Sequence, residues 1–132
     1  MMPKTIESPF RQWVRKMVPQ PIRSTYFELI NAYNRRQLLH GYRHEPQVCQ
    51  VLKSQIQPGW VCVDVGANSG ILTVLMASLV GQAGRIYAFE AHPDNGKRIE
   101  KNVRLCHFED RVVTQVAAVN DGSCDQLTLY AG

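Results

Sequence analysis

The residues best suited to chemistry in this sequence lie together in one short segment, VCVDVGANSG, at residues 61–70. The segment carries a carboxylate at Asp64, glycines at Gly66 and Gly70, and Asn68 between them. Glycine allows a sharp turn and lets a ligand approach the backbone, and asparagine tolerates the same left-handed conformation. An acid just before such a turn attracts an ammonium group and repels a pyrophosphate. The segment therefore indicates a binding loop for a ligand with a cationic end.

A second acid, Glu90, closes the apolar run RIYAFE at residues 85–90. It follows the glycine loop by about 20 residues and ends a predicted strand, a position from which a carboxylate can accept both hydroxyls of a ribose. Ala118 lies at the end of the third apolar run and would flank an adenine ring. These features predict a nucleoside site for S-adenosylmethionine or a dinucleotide. Because the loop reads G-x-x-x-G and lacks the G-x-G-x-x-G spacing, S-adenosylmethionine is favoured.

Alternating strand and helix patterns must position these groups. The runs are too continuous for half-exposed antiparallel strands, which favours parallel strands buried on both faces. We predict strands at 61–65, 85–89 and 112–119 with helices at 69–80 and 93–105, hence an α/β Rossmann-like fold with strand order three, two, one. An Asp-Gly turn at 121–122 could lead into a short antiparallel return at 127–130. Gly96 falls inside the second of these helices, at a cost of roughly 1 kcal/mol relative to alanine.

The N-terminal part differs in charge from the rest. Residues 1–45 hold eight Lys and Arg against three Glu, whereas residues 46–132 hold seven basic against eight acidic side chains. Helical patterns at 10–17, 22–39 and 46–56 predict a basic helical extension over 1–58, ahead of a partial cofactor domain over 59–132. The amphipathic segment 6–18 could contact a membrane surface or pack on the domain. A nucleic-acid partner is not expected.

Other functional classes find little support in the composition. The four cysteines form no C-x-x-C pair, and His40 and His44 have no further ligand nearby, so we expect neither a metal site nor a disulfide framework. No apolar stretch reaches 18 residues, and the N-terminus does not resemble a signal peptide. We therefore expect a cytoplasmic protein.

Three motifs, DVGANSG, IYAFEAHPDN and VAAVNDG, together resemble those of the FkbM-type S-adenosylmethionine-dependent methyltransferases. The resemblance covers about residues 60–130 and implies the Rossmann-like class I methyltransferase fold. It implies that Glu90 binds the ribose and that the loop surrounds the methionine part of the cofactor through Asp64, Gly66, Ala67, Asn68 and Gly70. It further implies O-methyl transfer to a hydroxyl of a small molecule or a sugar.

That family continues into a fourth strand with an acidic K-I-D-V-E-G-like motif and then an acceptor pocket, and no such motif follows here. We therefore expect a fold truncated after the third parallel strand, with one sheet edge open to self-association. We name no catalytic base, and the chain could be inactive. Two alternatives stay open: a non-enzymatic remnant or interaction module that uses the open edge or the basic helices, and an NAD-binding Rossmann domain.

Overall fold

A computed structural model describes residues 9–17, 19–40, 45–123, 126 and 128–129. Three helices come first, followed by alternating strands and helices. In chain order the elements are α1 (Pro9–Met17), α2 (Gln20–His40), α3 (Pro46–Gln55), β1 (Val61–Val65), α4 (Ile71–Val80), β2 (Arg85–Glu90), α5 (Pro93–Cys106) and β3 (Val112–Val116). The predicted order of elements is confirmed.

The three strands form one parallel sheet in the order β1-β2-β3. Val61 lies opposite Arg85, and Ile86 lies opposite Val112, so all three carboxyl ends meet at one edge. β3 ends at Val116, three residues earlier than predicted. Because β2 already ends at Glu90, the next residue, Ala117, donates one last hydrogen bond to the Glu90 carbonyl (3.0 Å) and no partner strand continues beyond it.

Helices α4 and α5 pack on the same face of the sheet. Ala88 of β2 joins Val74 of α4 and Ile99 of α5 in one buried cluster. Gly96 belongs to α5, as predicted, and a Cβ there would lie 2.6 Å from Val116 Cγ2. The close approach of α5 to β3 therefore favours a glycine, because a Cβ there would require the half-exposed Val116 side chain to move, and this packing opposes the cost in helix propensity.

The opposite face of the sheet is exposed, contrary to the prediction of strands buried on both faces. Val61, Val63 and Val65 of β1 are 59–64% exposed, and Tyr87 of β2 is 39% exposed. The strands thus alternate between buried and exposed residues, because α4 and α5 cover one face and no described element covers the other. Self-association through the β1 edge stays a prediction.

Contacts divide the chain into two compact units, Met1–Asn34 and Arg35–Gly132. The division falls within α2, ahead of the domain boundary predicted between residues 58 and 59, which stays a prediction. In the first unit Met17, Ile22 and Leu29 are 60–66% exposed. The prediction of membrane-surface contact through residues 6–18 is untested, and residues 6–8 and 18 lie outside the described part.

Two further expectations concern small features. Gly122 has φ 80° and lies in the predicted turn. The Asn120 side chain closes this turn, because its Oδ1 accepts a hydrogen bond from the Gly122 N–H (2.7 Å). The predicted return strand falls partly on residues outside the description, and residues 128–129 are not in a strand.

Among the described residues, no helix is long and apolar enough to span a membrane, and no group of three or more His, Cys, Asp or Glu side chains could hold a metal ion.

Candidate functional site

Two carboxylates project from the carboxyl ends of neighbouring strands. Asp64 lies next to last in β1 and Glu90 is the last residue of β2. Asp64 is level with Ala88, so Asp64, Ala88 and Glu90 all face the side covered by the helices. The predicted meeting of the two acids at one sheet edge is therefore present in the structure.

Glu90 is held by the backbone of both adjacent loops. Its Oε2 accepts from the Asn68 N–H and its Oε1 from the His92 N–H, each at 2.8 Å, while Asn95 Nδ2 lies 3.5 Å from Oε1. Burial of this side chain, which is 8% exposed, would raise the pKa of Glu90. The hydrogen bonds donated by His92, Asn68 and Asn95 outweigh burial and lower the pKa. Glu90 is therefore a stable, fixed anion.

Asp64 has fewer partners. Its Oδ2 accepts a hydrogen bond from Thr73 Oγ1 on α4 (2.5 Å). Partial burial raises the pKa of Asp64, the Thr73 hydroxyl lowers it, and the negative charge of Glu90 raises it, with an upward result. Asp64 is thus a carboxylate whose negative charge would be stabilised by a cation placed beside it.

The loop between β1 and α4 is fastened to the end of β2 by its own N–H groups. Gly66 and Ala67 both donate to the Phe89 carbonyl, at 2.9 and 3.1 Å, and the next N–H, of Asn68, donates to Glu90. Asn68 adopts the left-handed conformation (φ 51°) predicted for it. The loop and the Glu90 carboxylate therefore form one hydrogen-bonded unit.

The two loop glycines have different roles. Both have positive φ, 77° at Gly66 and 79° at Gly70. A Cβ at Gly66 would meet no atom within 4 Å, so the backbone there borders open space. A Cβ at Gly70 would lie 3.1 Å from Ile99 Cγ1, so this glycine serves helix packing. Only Gly66 leaves room for a ligand to approach.

Ala67 and Ala118, the remaining predicted site residues, are unlike each other. The Ala67 side chain is 8% exposed and belongs to the core, so a ligand could contact only the backbone of this loop residue. Ala118 is exposed and follows the end of β3 at the same sheet edge. Their contact with a cofactor stays a prediction, as it does for the other site residues.

The sequence reasoning missed several residues that orient this site. Thr73 binds Asp64, His92 and Asn95 bind Glu90, and Asn102 on α5 donates to the Ser69 carbonyl (2.8 Å). His92 also caps α5 by accepting from the Asp94 N–H (3.2 Å). Local signals existed for Thr73, which lies in the first turn of the helix after the loop, and for His92 and Asn95, which closely follow Glu90. The contacts of His92 and Asn95 with Glu90 join residues two and five positions apart, whereas the contact of Asn102 depends on tertiary packing.

The arrangement fits a nucleoside cofactor with an amino-acid tail. A carboxylate oxygen has about two lone-pair positions, so Glu90 Oε2, which holds only the Asn68 N–H, can accept another hydrogen bond, whereas Oε1 already holds the His92 N–H and the longer contact from Asn95. Gly66 leaves open space beside the loop. No side chain caps α4, and the first N–H groups of a helix have no partner within the helix, so they can receive a carboxylate.

Comparisons with known proteins place the chain among methyltransferases. The sequence model for protein-L-isoaspartate(D-aspartate) O-methyltransferase (PCMT) matches residues 16–126. Over 58 residues the chain is 40% identical to a protein-L-isoaspartate O-methyltransferase of Caenorhabditis elegans, a match covering 44% of this chain and 26% of the relative. Over 65 residues it is 38% identical to a ribosomal protein L11 methyltransferase of Carboxydothermus hydrogenoformans, covering 49% and 21%.

A solved structure supports the fold. Precorrin-6y C5,15-methyltransferase from Geobacter metallireducens aligns with a TM-score of 0.52 and 26% identity, over 63% of this chain and 44% of the other. The predicted Rossmann-like class I methyltransferase fold, present in part, is thereby confirmed. This chain spans about a quarter of the length of the curated relatives that it matches.

The match to a methyltransferase family model confirms the cofactor predicted from the sequence, S-adenosylmethionine. These comparisons support a methyltransferase of the PCMT family and do not show the FkbM type, which stays a prediction. The family match extends over most of the chain, including the strands, the glycine loop and Glu90. The chain therefore belongs to the protein-L-isoaspartate(D-aspartate) O-methyltransferase family.

Proposed function

We propose that this chain is the cofactor-binding part of an S-adenosylmethionine-dependent O-methyltransferase. One observation carries the proposal: the fixed Glu90 carboxylate shares hydrogen bonds with a glycine loop whose backbone is open at Gly66. A buried anion with free acceptor positions, next to an accessible loop, is suited to a ligand that presents hydroxyl groups.

The chain's own groups can hold each part of such a cofactor. When bound, S-adenosylmethionine supplies a methyl group activated by a sulfonium sulfur. Glu90 would accept the ribose hydroxyls, Asp64 would bind the ammonium group, and the first N–H groups of α4 would bind the carboxylate. These residues orient and hold, which is the main contribution that a protein makes to an in-line methyl transfer.

The acceptor is proposed from two sources that agree on its atom. The family name gives an isoaspartyl carboxylate in a protein, and the motif resemblance gives a hydroxyl of a small molecule or sugar. Both are oxygen nucleophiles, so we propose O-methyl transfer, with the carboxylate as the first acceptor to test. Because this chain spans only part of its relatives, an acceptor-binding part belongs to the proposal for the whole protein.

Calorimetric titration of the purified chain with S-adenosylmethionine, and separately with NAD, tests the proposal. We expect S-adenosylmethionine to bind and NAD not to bind, and Asp64→Ala and Glu90→Ala each to weaken binding. Glu100→Ala is the matched control, because Glu100 is an exposed acid on α5 whose ion pair with Arg104 lies at the surface.

Binding of NAD in preference to S-adenosylmethionine would favour the dinucleotide alternative. A folded chain that binds neither ligand would contradict the proposal and favour the interaction module. Circular dichroism of each variant distinguishes lost binding from lost structure. If the chain binds the cofactor, transfer of a labelled methyl group to an isoaspartyl peptide, with the aspartyl peptide as control, tests the acceptor.

A further inference from the structure

Helix α5 contacts the cofactor loop at its last two residues, Ser69 and Gly70. Asn102 Nδ2 donates to the Ser69 carbonyl at 2.8 Å, across 33 residues of sequence. One turn earlier on the same helix, Ile99 is fully buried against Gly70, and a Cβ at Gly70 would lie 3.1–3.2 Å from three of its atoms. Residues three apart on a helix share a face, so Ile99 and Asn102 act on the loop together.

These contacts fix one peptide group from both ends. The Ser69 carbonyl accepts from Asn102, and the N–H of the same peptide group, on Gly70, donates to the Ala67 carbonyl at 2.8 Å. A peptide bond is planar, so two hydrogen bonds at opposite ends define the orientation of its plane. The Gly70 carbonyl then accepts from the Val74 N–H (2.9 Å), and this bond begins the helical pattern of α4.

This peptide group leads directly into α4 through the N-cap residue Gly70, so holding it in place helps to hold the start of the helix and its first N–H groups. Those N–H groups are the part of the site proposed to receive the carboxylate of the amino-acid tail. The nucleoside end of the site rests instead on Glu90, whose bonds to Asn68 and His92 do not involve Asn102. The loop is therefore held at two separate places, one for each end of the cofactor.

We infer that Asn102 is a positioning residue that preorganises the loop for the amino-acid tail of S-adenosylmethionine. The inference rests on the proposed function. A loop held in its binding conformation before the ligand arrives loses less freedom on binding, which increases affinity. Asn102 does not need to touch the ligand to have this effect.

The test compares two ligands on the purified full chain. S-adenosylmethionine carries the amino-acid tail, whereas 5′-methylthioadenosine keeps the adenine, the ribose and the sulfur but lacks the tail. For Asn102→Ala we expect the affinity for S-adenosylmethionine to fall by about three- to tenfold, as the loss of one hydrogen bond allows, with the affinity for 5′-methylthioadenosine unchanged.

Two further variants sharpen this test. Asn102→Asp keeps the size of the side chain but places a carboxylate against the Ser69 carbonyl at neutral pH, so the same selective loss should be at least as large. Lys101→Ala, at the exposed neighbouring position of α5, is the control and should leave both affinities unchanged. Since alanine has a higher helix propensity than asparagine, Asn102→Ala should keep α5 intact.

The outcomes separate the inference from the function on which it rests. Equal weakening of both ligands by Asn102→Ala, or no weakening of either, would overturn the inference while leaving the proposed function in place. If the folded wild-type chain binds neither ligand, the proposed function is overturned and the inference with it. Selective loss for the ligand with the tail supports the inference.

Discussion

The ends of β1 and β2 each carry one carboxylate at the same sheet edge, yet their surroundings have opposite effects. The pKa of Asp64 is raised, chiefly by burial, and a single hydroxyl donor at Thr73 opposes this. Burial also acts on Glu90, but two backbone N–H groups and a side-chain amide lower its pKa. Asp64 has fewer donors than Glu90 to oppose the effect of burial, so the pKa of Asp64 is raised while that of Glu90 is lowered.

This difference suggests a division of labour between the two strand ends. Glu90 is part of the framework, since its hydrogen bonds join the β1–α4 loop to the β2–α5 connection. Asp64 has an unfavourable charge that a bound ammonium would stabilise. The end of β2, with Glu90, should therefore affect folding most, and the end of β1, with Asp64, should affect cofactor binding most.

Glu90→Ala should have the largest effect. The substitution leaves the N–H groups of Asn68 and His92 without their acceptor, and each lost hydrogen bond costs about 1–3 kcal/mol of stability. We expect the free energy of unfolding to fall by roughly 2–5 kcal/mol in urea denaturation. A loss as small as that of Glu100→Ala would contradict a framework role for Glu90.

Asp64→Asn should behave in the opposite way. The amide keeps an acceptor for Thr73 but has no charge to desolvate, so the free chain should become more stable at neutral pH. Affinity for S-adenosylmethionine should fall about tenfold or more, because a hydrogen bond to a charged group is worth about 1.5–3 kcal/mol. Thermal unfolding measures the stability and calorimetry measures the affinity. A variant that is less stable than the wild type and binds S-adenosylmethionine equally tightly would refute the assignment of Asp64 to the ammonium group.

The two loop glycines extend the comparison within the first strand end. Gly66→Ala and Gly70→Ala both place a Cβ at positive φ, which costs about 1–2 kcal/mol. Gly70→Ala must also displace Ile99, so it should lower the unfolding free energy more. Gly66→Ala should instead weaken cofactor binding at a smaller cost in stability. The reverse order in paired denaturation and binding measurements would contradict the assignment of open space to Gly66.

The pH dependence of stability should show the smallest and most specific difference. The folded pKa of Asp64 lies above its unfolded value, so its contribution falls as pH rises through the interval between them. The folded pKa of Glu90 lies below its unfolded value, so its contribution is present above the unfolded pKa and is lost as pH falls through the folded one.

Subtracting the profile of Asp64→Asn from that of the wild type should therefore give a negative slope with pH. The same subtraction for Glu90→Gln should give a positive slope. Urea denaturation at a series of acidic pH values measures both. Slopes of the same sign would show that the two strand ends do not differ in the way that their donors indicate.

Much of the fold could be predicted because its signals are local. Apolar runs and the glycines that interrupt them gave β1 at residues 61–65 without error and the other elements of the sheet unit within three residues. The strand order was predicted correctly, since consecutive parallel strands joined by one helix tend to lie side by side. The exposed sheet face was predicted wrongly, because an apolar strand residue does not reveal whether any element covers it.

The sequence alone determined which residues share the sheet edge: an acid before a glycine turn and a second acid at the end of the next strand. Only the tertiary structure decided what each residue does there. It gave Glu90 its two backbone donors, put Gly70 rather than Gly66 against Ile99, and brought Asn102 to the Ser69 carbonyl. Apart from the local bond of His92 to Glu90, these contacts join residues 22 to 33 positions apart, and they arise from strand register and helix packing, which no local pattern encodes.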